Sequence, residues 1–145
     1  MIPFRVIFTG SRDYTELVLV ERTVETLLDE CRRHGKKLIV VHGACPTGAD
    51  HFAHAFATEL KAQGHPIDVE AHPADFDKLG PSAGPRRNAV MARSGAHLCV
   101  AFCHRLTRGT ASMVGLASEH QIPVIIIKPS LPLAVVLGAV VRAAA

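Results

Sequence analysis

Four glycine-containing turns, each directly behind a short run of apolar, β-prone residues, constrain this chain more than any other feature. They occupy residues 9–12, 42–50, 72–88 and 104–110. In a parallel sheet each turn lies at the carboxyl edge of its strand, so all four would meet along one crevice. Open α/β folds bind ligands at this edge, where helix N-termini and free backbone N–H groups attract anions. The pattern therefore predicts a cleft for a phosphorylated ligand, with a nucleotide as the first candidate.

The period of the apolar pattern switches repeatedly between that of a strand and that of a helix. Short β-branched runs predict strands at residues 4–8, 38–41, 67–70, 97–102 and 123–127. Apolar residues at helical spacing predict helices at residues 15–34, 49–63, 85–93, 110–120 and 133–143. Such alternation favours a parallel sheet with helices on both faces. We expect an α/β fold, a single Rossmann-like domain over residues 1–145 with a mainly parallel five-stranded sheet.

Composition argues against several classes of function. The net charge is only +3 and aromatic residues make up 5% of the chain, without any Trp. A nucleic-acid partner is therefore disfavoured, since single-strand binders depend on basic grooves and aromatic stacking. The most apolar stretch, residues 131–141, is shorter than the roughly 20 residues of a membrane span. No signal-peptide pattern precedes the first strand and no two cysteines form a CxxC pair, so we expect a cytoplasmic protein.

The first and fourth turns each place a glycine beside a hydroxyl. Gly10 is followed by Ser11 and Arg12, and Gly109 by Thr110. A glycine lets the backbone approach a ligand, and the neighbouring side chains supply donors for phosphate. The alternative for both hydroxyls is ordinary turn chemistry, with Thr110 as the N-cap of the next helix. Each turn alone leaves both interpretations open, but four turns at one edge favour a ligand site.

Known cofactor and metal motifs are missing. The first turn fits neither the GxGxxG dinucleotide fingerprint nor the GxxxxGK[ST] phosphate loop, and no lysine follows a glycine at the required spacing. Asp50, His51 and His54 share a helix face, yet no third ligand has a characteristic metal-site spacing. We therefore predict neither a resident metal nor a redox or magnesium-dependent cofactor chemistry.

In the second turn, Gly43 and Gly48 bracket a tight connection between strand and helix. Thr47 can cap the helix that starts near Gly48, with Asp50 three residues on as in a capping box. Capping explains Thr47 and Asp50 but not why the connection needs two glycines. A carboxylate at position 50 would also be placed to accept hydrogen bonds from ribose hydroxyls. Both roles of Asp50 remain open.

The third turn carries the strongest electrostatic signal. Pro85 predicts the first position of a helix, which puts Arg86 and Arg87, followed by Asn88, in its first turn. Cations there oppose the helix dipole at a cost of about 0.3–1 kcal/mol each. A bound anion would reverse that cost and accept bidentate contacts from guanidinium groups. The alternative is a pair of solvated arginines on a surface helix.

The last predicted helix is apolar nearly all round, with Arg142 as its only charged residue. A terminal helix of this kind is either packed deeply into the domain or lies at a contact between subunits. The sequence does not decide between the two, so a homo-oligomer is one of two expectations.

Taken together, the motifs resemble those of a known family. They are TGSRDY after the first strand, HGACPTGAD, HPADF, GPRRNAVM and RGTASMV. In order and spacing they are similar to the DUF2493 family, the YspA-type, cpYpsA-related branch of the SLOG (SMF/DprA–LOG) superfamily. The resemblance extends to about Val124. It implies a Rossmann-like fold and a SLOG-like nucleotide-binding domain.

Related LOG-type phosphoribohydrolases cleave the bond between base and ribose 5-phosphate, and their signature is Gly-Gly-x-Gly-Thr-x-x-Glu. Gly109 and Thr110 match it, but Met113 stands at the position of the glutamate. Loss of the base needs a carboxylate to stabilise the positive charge that grows on the sugar. Asp50 or Asp75 would have to replace the glutamate as the catalytic residue.

The leading hypothesis is a module that senses or sequesters a small nucleotide or a derivative such as ADP-ribose or an NAD-derived species. The alternative is a LOG-like phosphoribohydrolase, and a DNA-associated role by analogy with the DprA branch is disfavoured by charge and composition. Arg86, Arg87 and Asn88 would hold phosphate, and Asp50 the ribose. The remaining predicted ligand contacts are backbone amides and donors at Gly10, Ser11, Arg12, Gly43, Gly48, Gly109 and Thr110.

Overall fold

Strands and helices alternate along residues 1–144, the part of the chain that the computed structural model describes. The strands are β1 (Ile2–Gly10), β2 (Lys36–His42), β3 (Ile67–Ala71), β4 (Leu98–Phe102) and β5 (Val124–Ile126). The helices are α1 (Leu17–Arg33), α2 (Gly48–Ala62), α3 (Phe76–Leu79), α4 (Ala83–Ser94), α5 (Arg108–Glu119) and α6 (Leu133–Ala143). A short 3₁₀ turn, Gly80–Ser82, joins α3 to α4.

All five strands are parallel and lie in the order β3-β2-β1-β4-β5. Near its carboxyl end, β1 pairs Phe8 with His42 of β2 on one side and with Val100 of β4 on the other. The strand order reverses between β1 and β4, which makes this pair the topological switch point of the sheet. The predicted α/β, Rossmann-like architecture with a five-stranded parallel sheet is confirmed.

The two faces of the sheet follow from the alternation of side chains along each strand. Val6 and Phe8 point into the larger apolar cluster, which also holds residues of α1, α2 and α6. Ile7 between them points to the opposite face, where it packs with Met91 of α4 and Met113 of α5. Helices therefore cover both faces, as predicted.

Helix α6 packs with one side only. Leu137 and Val141 are buried in the larger cluster, and Gly138 lies so close to α1 that an added Cβ would be 3.0 Å from a carboxylate oxygen of Glu30. Val135 on the other side is exposed. Contact between this side and a second copy of the chain stays a prediction. Within residues 1–144, no helix is long and apolar enough to cross a membrane.

The segment between β3 and β4 departs from the sequence prediction. Part of the expected loop at residues 72–84 forms α3, because the Asp75 side chain accepts a hydrogen bond from the Lys78 amide at 3.1 Å and caps this helix. Helix α4 begins at Ala83, so Pro85 is its third residue rather than its first. Arg86 and Arg87 therefore lie beyond the first helical turn of α4. The predicted repulsion between these arginines and the helix dipole is wrong, since that effect fades within one turn.

Candidate functional site

A cleft of about 530 Å³ opens at the carboxyl ends of β1 and β4, at the switch point of the sheet. Its walls come from the turns behind β1, β2 and β4 and from the first parts of α4 and α5. This volume falls within the about 300–1,000 Å³ that small-molecule sites usually occupy. The four turns singled out in the sequence thus contribute to one cavity.

Nine of the predicted site residues line the cleft, and three do not. Gly48 packs against the first turn instead, Arg86 is exposed on α4 away from the cavity wall, and Asp75 is the exposed cap of α3. The nine are Gly10, Ser11, Arg12, Gly43, Asp50, Arg87, Asn88, Gly109 and Thr110. Four further cleft residues were not predicted as site residues: Asp13, Phe76, Thr107 and Ser112. Three of them lie within the motifs TGSRDY, HPADF and RGTASMV, which was the signal that could have found them.

Two glycines bring the first turn into close contact with its neighbours. A Cβ at Gly10 would lie 2.5 Å from the Phe102 carbonyl oxygen and 2.6 Å from Cβ of Ala49. Gly48 has a φ of +73°, and a Cβ there would lie 2.3 Å from the Ser11 carbonyl oxygen. The Ser11 amide in turn donates to the Phe102 carbonyl oxygen at 3.2 Å. Both glycines therefore serve the packing of chain segments at the floor of the cleft.

Asp50 fastens the second turn from within. Its Oδ2 accepts hydrogen bonds from the amides of Gly43 at 3.0 Å and Cys45 at 3.4 Å. The residue is only 5% exposed, and this burial raises the pKa of its carboxyl group. Thr47 is the N-cap residue of α2, but its hydroxyl donates to the Arg12 carbonyl oxygen at 2.9 Å and caps no helix amide. The interpretation of Thr47 and Asp50 as a capping box, one of the two left open by the sequence, is therefore wrong.

His42 closes the other side of the second turn. Its Nδ1 accepts a hydrogen bond from the Ala44 amide at 2.9 Å, and its Nε2 lies 2.9 Å from Nδ1 of His54. Burial, together with the neighbouring His54, His72 and Arg87, lowers the pKa of His42 to about 4. The imidazole is therefore neutral near pH 7, with its proton on Nε2, where it donates to His54.

Arg87 is held against the second turn by several hydrogen bonds. Its Nη1 donates to the carbonyl oxygens of Gly43 and His72, and its Nε donates to Oδ1 of Asn88 at 2.8 Å. Nδ2 of Asn88 contacts Oγ of Ser112 at 3.4 Å, which ties α4 to α5. Among the described residues, no hydrogen bond engages Nη2 of Arg87. A positioned guanidinium with a remaining donor thus forms part of the cleft wall.

The fourth turn delivers the start of α5 to the cleft. Thr107 is the N-cap residue, yet its hydroxyl donates to Oγ1 of Thr110 at 3.1 Å rather than to a backbone amide. The first backbone bond of the helix runs from the Ala111 amide to the Thr107 carbonyl oxygen, at 2.8 Å. The amides of Arg108, Gly109 and Thr110 have no acceptor within the helix. Thr110 is the third helical residue, so its expected alternative role as N-cap is wrong.

Charges on the cleft wall favour an anion. Arg12, Arg87 and Arg108 line the cavity against two carboxylates, Asp13 and Asp50, of which Asp50 is buried. Met113, at the position of the LOG glutamate, is fully buried between α4, α5 and the sheet. Residues 1–144 contain no group of three His, Cys, Asp or Glu side chains arranged to hold a metal ion.

A doubly wound parallel sheet with a cleft of helix N-termini at its switch point defines the class: a Rossmann-like α/β protein. The chain belongs to the YspA, cpYpsA-related SLOG family, whose model matches residues 4–78. It is 37% identical to the gene 61 protein of Mycobacterium phage D29 over 121 residues, which cover 83% of this chain and 94% of the phage protein. The family predicted from the motifs is therefore confirmed.

Solved structures share the fold of this chain at low sequence identity. The molybdenum cofactor carrier protein of Chlamydomonas reinhardtii matches with a TM-score of 0.59 and 18% identity, over 97% of both chains. A universal stress protein from Archaeoglobus fulgidus matches with a TM-score of 0.51 and 16% identity, over 88% of this chain and 96% of its own. At these identities the likeness shows the shared α/β fold.

Proposed function

We propose that this protein binds a small nucleotide or a nucleotide-derived ligand in the switch-point cleft and senses, sequesters or carries it. The observation that carries the proposal is the uncapped start of α5, which opens onto the same cavity as the positioned guanidinium of Arg87. Backbone N–H groups at a helix start and guanidinium groups both favour phosphate.

The distribution of charge supports a phosphate in the cleft. Arg87 lines it, and so do residues 108–110, which begin α5. Arg108 is exposed, so its side chain has room to turn toward a ligand. The Asp50 carboxylate accepts hydrogen bonds from two amides of its own turn, and these N–H groups offset part of its repulsion toward an anion.

A carrying or sensing role is also in line with the fold neighbours. One of them is a molybdenum cofactor carrier protein, which shares the sheet and helices over nearly the whole chain. In the present chain, Met113 occupies the position where the hydrolytic relatives hold a carboxylate, and its side chain is buried in the core. Cleavage of a glycosidic bond would have to rely on Asp50 or Asp13, the carboxylates of the cleft wall.

Equilibrium dialysis of the purified protein against a mixed nucleotide panel tests this proposal. The panel contains nucleoside monophosphates, ADP-ribose, NAD and cyclic nucleotides, and mass spectrometry is applied to both chambers. We expect one intact species to be enriched on the protein side. A free base appearing together with ribose 5-phosphate would instead show a hydrolase, and an even distribution of all compounds would contradict nucleotide binding.

A further inference from the structure

One aromatic ring lies in the cleft without a role in the core. The chain has six phenylalanines, one tyrosine and no tryptophan. All but one are buried in the larger apolar cluster or packed against it: Phe4, Phe8, Tyr14, Phe52, Phe56 and Phe102. Phe76 is 46% exposed and lines the cleft. An exposed ring on a cavity wall leaves apolar area that a ligand can cover.

The short helix that carries Phe76 has no buried residues, so it offers no apolar core for the ring to pack into. Helix α3 is only four residues long. The guanidinium carbon of Arg12 lies 5.7 Å from the ring centroid, within the range of a cation–π contact. Arg12 also lines the cleft, so a flat apolar surface and a cation lie side by side at this wall. Nucleobases bind to such combinations of aromatic rings and arginines.

The ring is also close to the proposed phosphate site. A Cβ placed on Gly84 would lie 3.9 Å from Cζ of Phe76 and 4.0 Å from Nη2 of Arg87. Those two atoms are therefore at most about 8 Å apart, the sum of the two distances. One ribose joins a base to its 5′-phosphate over a span of this order. A separation within this limit lets one nucleoside monophosphate reach the ring with its base and the guanidinium with its phosphate.

We propose that Phe76 is the stacking platform for the base of the ligand, with Arg12 beside it and the phosphate held at Arg87 and the start of α5. This inference rests on the proposed function and adds the chemical class of the ligand's other end, a planar heteroaromatic ring. Because every base has a π face, stacking on its own does not select a single base.

The test compares a ligand that has a base with one that lacks it. AMP and ribose 5-phosphate are titrated by calorimetry into the full chain and into Phe76→Leu, which keeps an apolar side chain without a ring. Loss of one base–aromatic stack corresponds to about a 5- to 150-fold loss of affinity. We expect that loss for AMP, and a change of less than about twofold for ribose 5-phosphate.

Two further variants separate stacking from damage to α3. Phe76→Trp restores a larger ring and should bind AMP at least as tightly as the native chain. Leu79→Ala changes another exposed residue of the same helix that does not line the cleft, and should leave both affinities unchanged. In NMR spectra, the H2 and H8 protons of AMP should shift upfield with the native chain and not with Phe76→Leu.

A second position tests the placement of the ligand. Gly84→Ala would add a methyl group in ordinary contact with Phe76 and Arg87, so the fold accommodates it, yet the group fills space assigned to the ribose. Both AMP and ribose 5-phosphate should bind at least about tenfold more weakly. Unchanged affinity of this variant would overturn the placement between ring and guanidinium.

The outcomes distinguish this inference from the function on which it rests. AMP binding that Phe76→Leu leaves unaltered, or weakens to the same degree as ribose 5-phosphate binding, would overturn the stacking role while nucleotide binding stands. Absence of binding to the native chain by every compound of the nucleotide panel and by ribose 5-phosphate would overturn both.

Discussion

The second turn (residues 42–50) and the fourth turn (residues 104–110) look alike in sequence and differ in structure. Both follow a buried strand, contain a histidine, a glycine and a threonine, and lead into a helix. In the second turn, Asp50 accepts from two amides, His42 from a third, and Thr47 donates to the first turn. In the fourth turn, the two threonine hydroxyls bond to each other and the amides that start α5 have no cap.

This difference shows how a turn that supports the structure of a site can be distinguished from a turn that binds the ligand. A turn whose donors are taken up by its own side chains is a structural support, however much its sequence resembles a ligand loop. A turn whose donors remain without a protein acceptor at a cavity wall is available to a ligand. By this criterion the second turn supports the cleft, and the fourth turn is the binding element.

The largest difference in stability between the two turns should appear when one glycine in each is replaced by alanine. Gly48→Ala forces a Cβ toward the Ser11 carbonyl oxygen at a positive φ, which should cost about 3–5 kcal/mol in the free energy of unfolding. Gly109→Ala meets no atom within 4 Å and should change that free energy by less than about 1 kcal/mol. Urea denaturation measures both. Equal losses in the two variants would break the comparison.

A pH titration of stability should separate the turns next. The buried His42, which is 2% exposed, has its pKa lowered to about 4, so the unfolded chain binds a proton more readily. The contribution of His42 to the free energy of unfolding is therefore fully present above about pH 6.5, and about 3 kcal/mol of it is lost as the pH drops toward 4. His42→Asn should remove that part of the pH dependence in urea denaturation between pH 7 and 4.5.

His104→Asn is the matched change at the beginning of the fourth turn, where the histidine side chain is 59% exposed. It should retain the pH dependence of the native chain. A pH dependence that survives in His42→Asn, or disappears in His104→Asn, would show that the titrating group lies outside the second turn.

Removing the carboxylate of the second turn should have a somewhat smaller effect. Asp50→Ala leaves the amides of Gly43 and Cys45 without their acceptor and should lower the free energy of unfolding by about 2 kcal/mol. Asp50→Asn keeps a carbonyl oxygen and should lose less. Asp13→Ala, an exposed carboxylate of the same cleft, should remain within about 0.5 kcal/mol of the native chain. An unchanged free energy of unfolding in Asp50→Ala would refute the supporting role of Asp50.

The smallest effect concerns binding rather than stability. Arg108→Ala removes a cation at the uncapped start of α5 and should weaken AMP binding about tenfold, or about 1.4 kcal/mol. Arg105→Ala alters an exposed arginine of the same turn outside the cavity wall and should stay within about twofold. Calorimetry measures both. Arg86 also lies outside the cavity wall, so Arg86→Ala should leave AMP affinity within about twofold. A clear loss of affinity would instead support the prediction from the sequence that Arg86 holds the phosphate.

Most of the fold could be predicted because its signals are local. The strands and helices follow from apolar periodicity and glycine stops, and the parallel sheet follows from their alternation. The arginines of α4 show what local sequence patterns do not predict, namely which side chains of a helix face the cleft. Neighbouring residues of a helix point about 100° apart, so adjacent arginines face different surroundings. Arg87 lies on the cleft wall and Arg86 in solvent, and which of the two faces the cleft depends on how α4 packs on the sheet, which the sequence alone does not give.

The roles of the glycines could not be predicted because their reasons are distant in the chain. Gly10 is required by Phe102 and Gly43 lies against the guanidinium of Arg87, contacts that only the folded sheet creates. The exposure of Phe76 depends in the same way on what the short α3 fails to bury. Sequence reasoning located the edge of the sheet where the cleft forms, but not which of its polar groups remain open.

The pairing of β1 with β4 has a consequence for ligand screening. The floor of the cleft joins Gly10 to Phe102, segments about ninety residues apart in the chain. A partly folded N-terminal half therefore lacks a complete cavity, and a cleft ligand recognises the fully assembled sheet alone. Such a ligand should raise the melting temperature in proportion to the logarithm of its concentration above Kd. A thermal-shift screen of this chain would therefore detect ligands of the folded protein, cleft ligands among them, without a label or an assay of turnover.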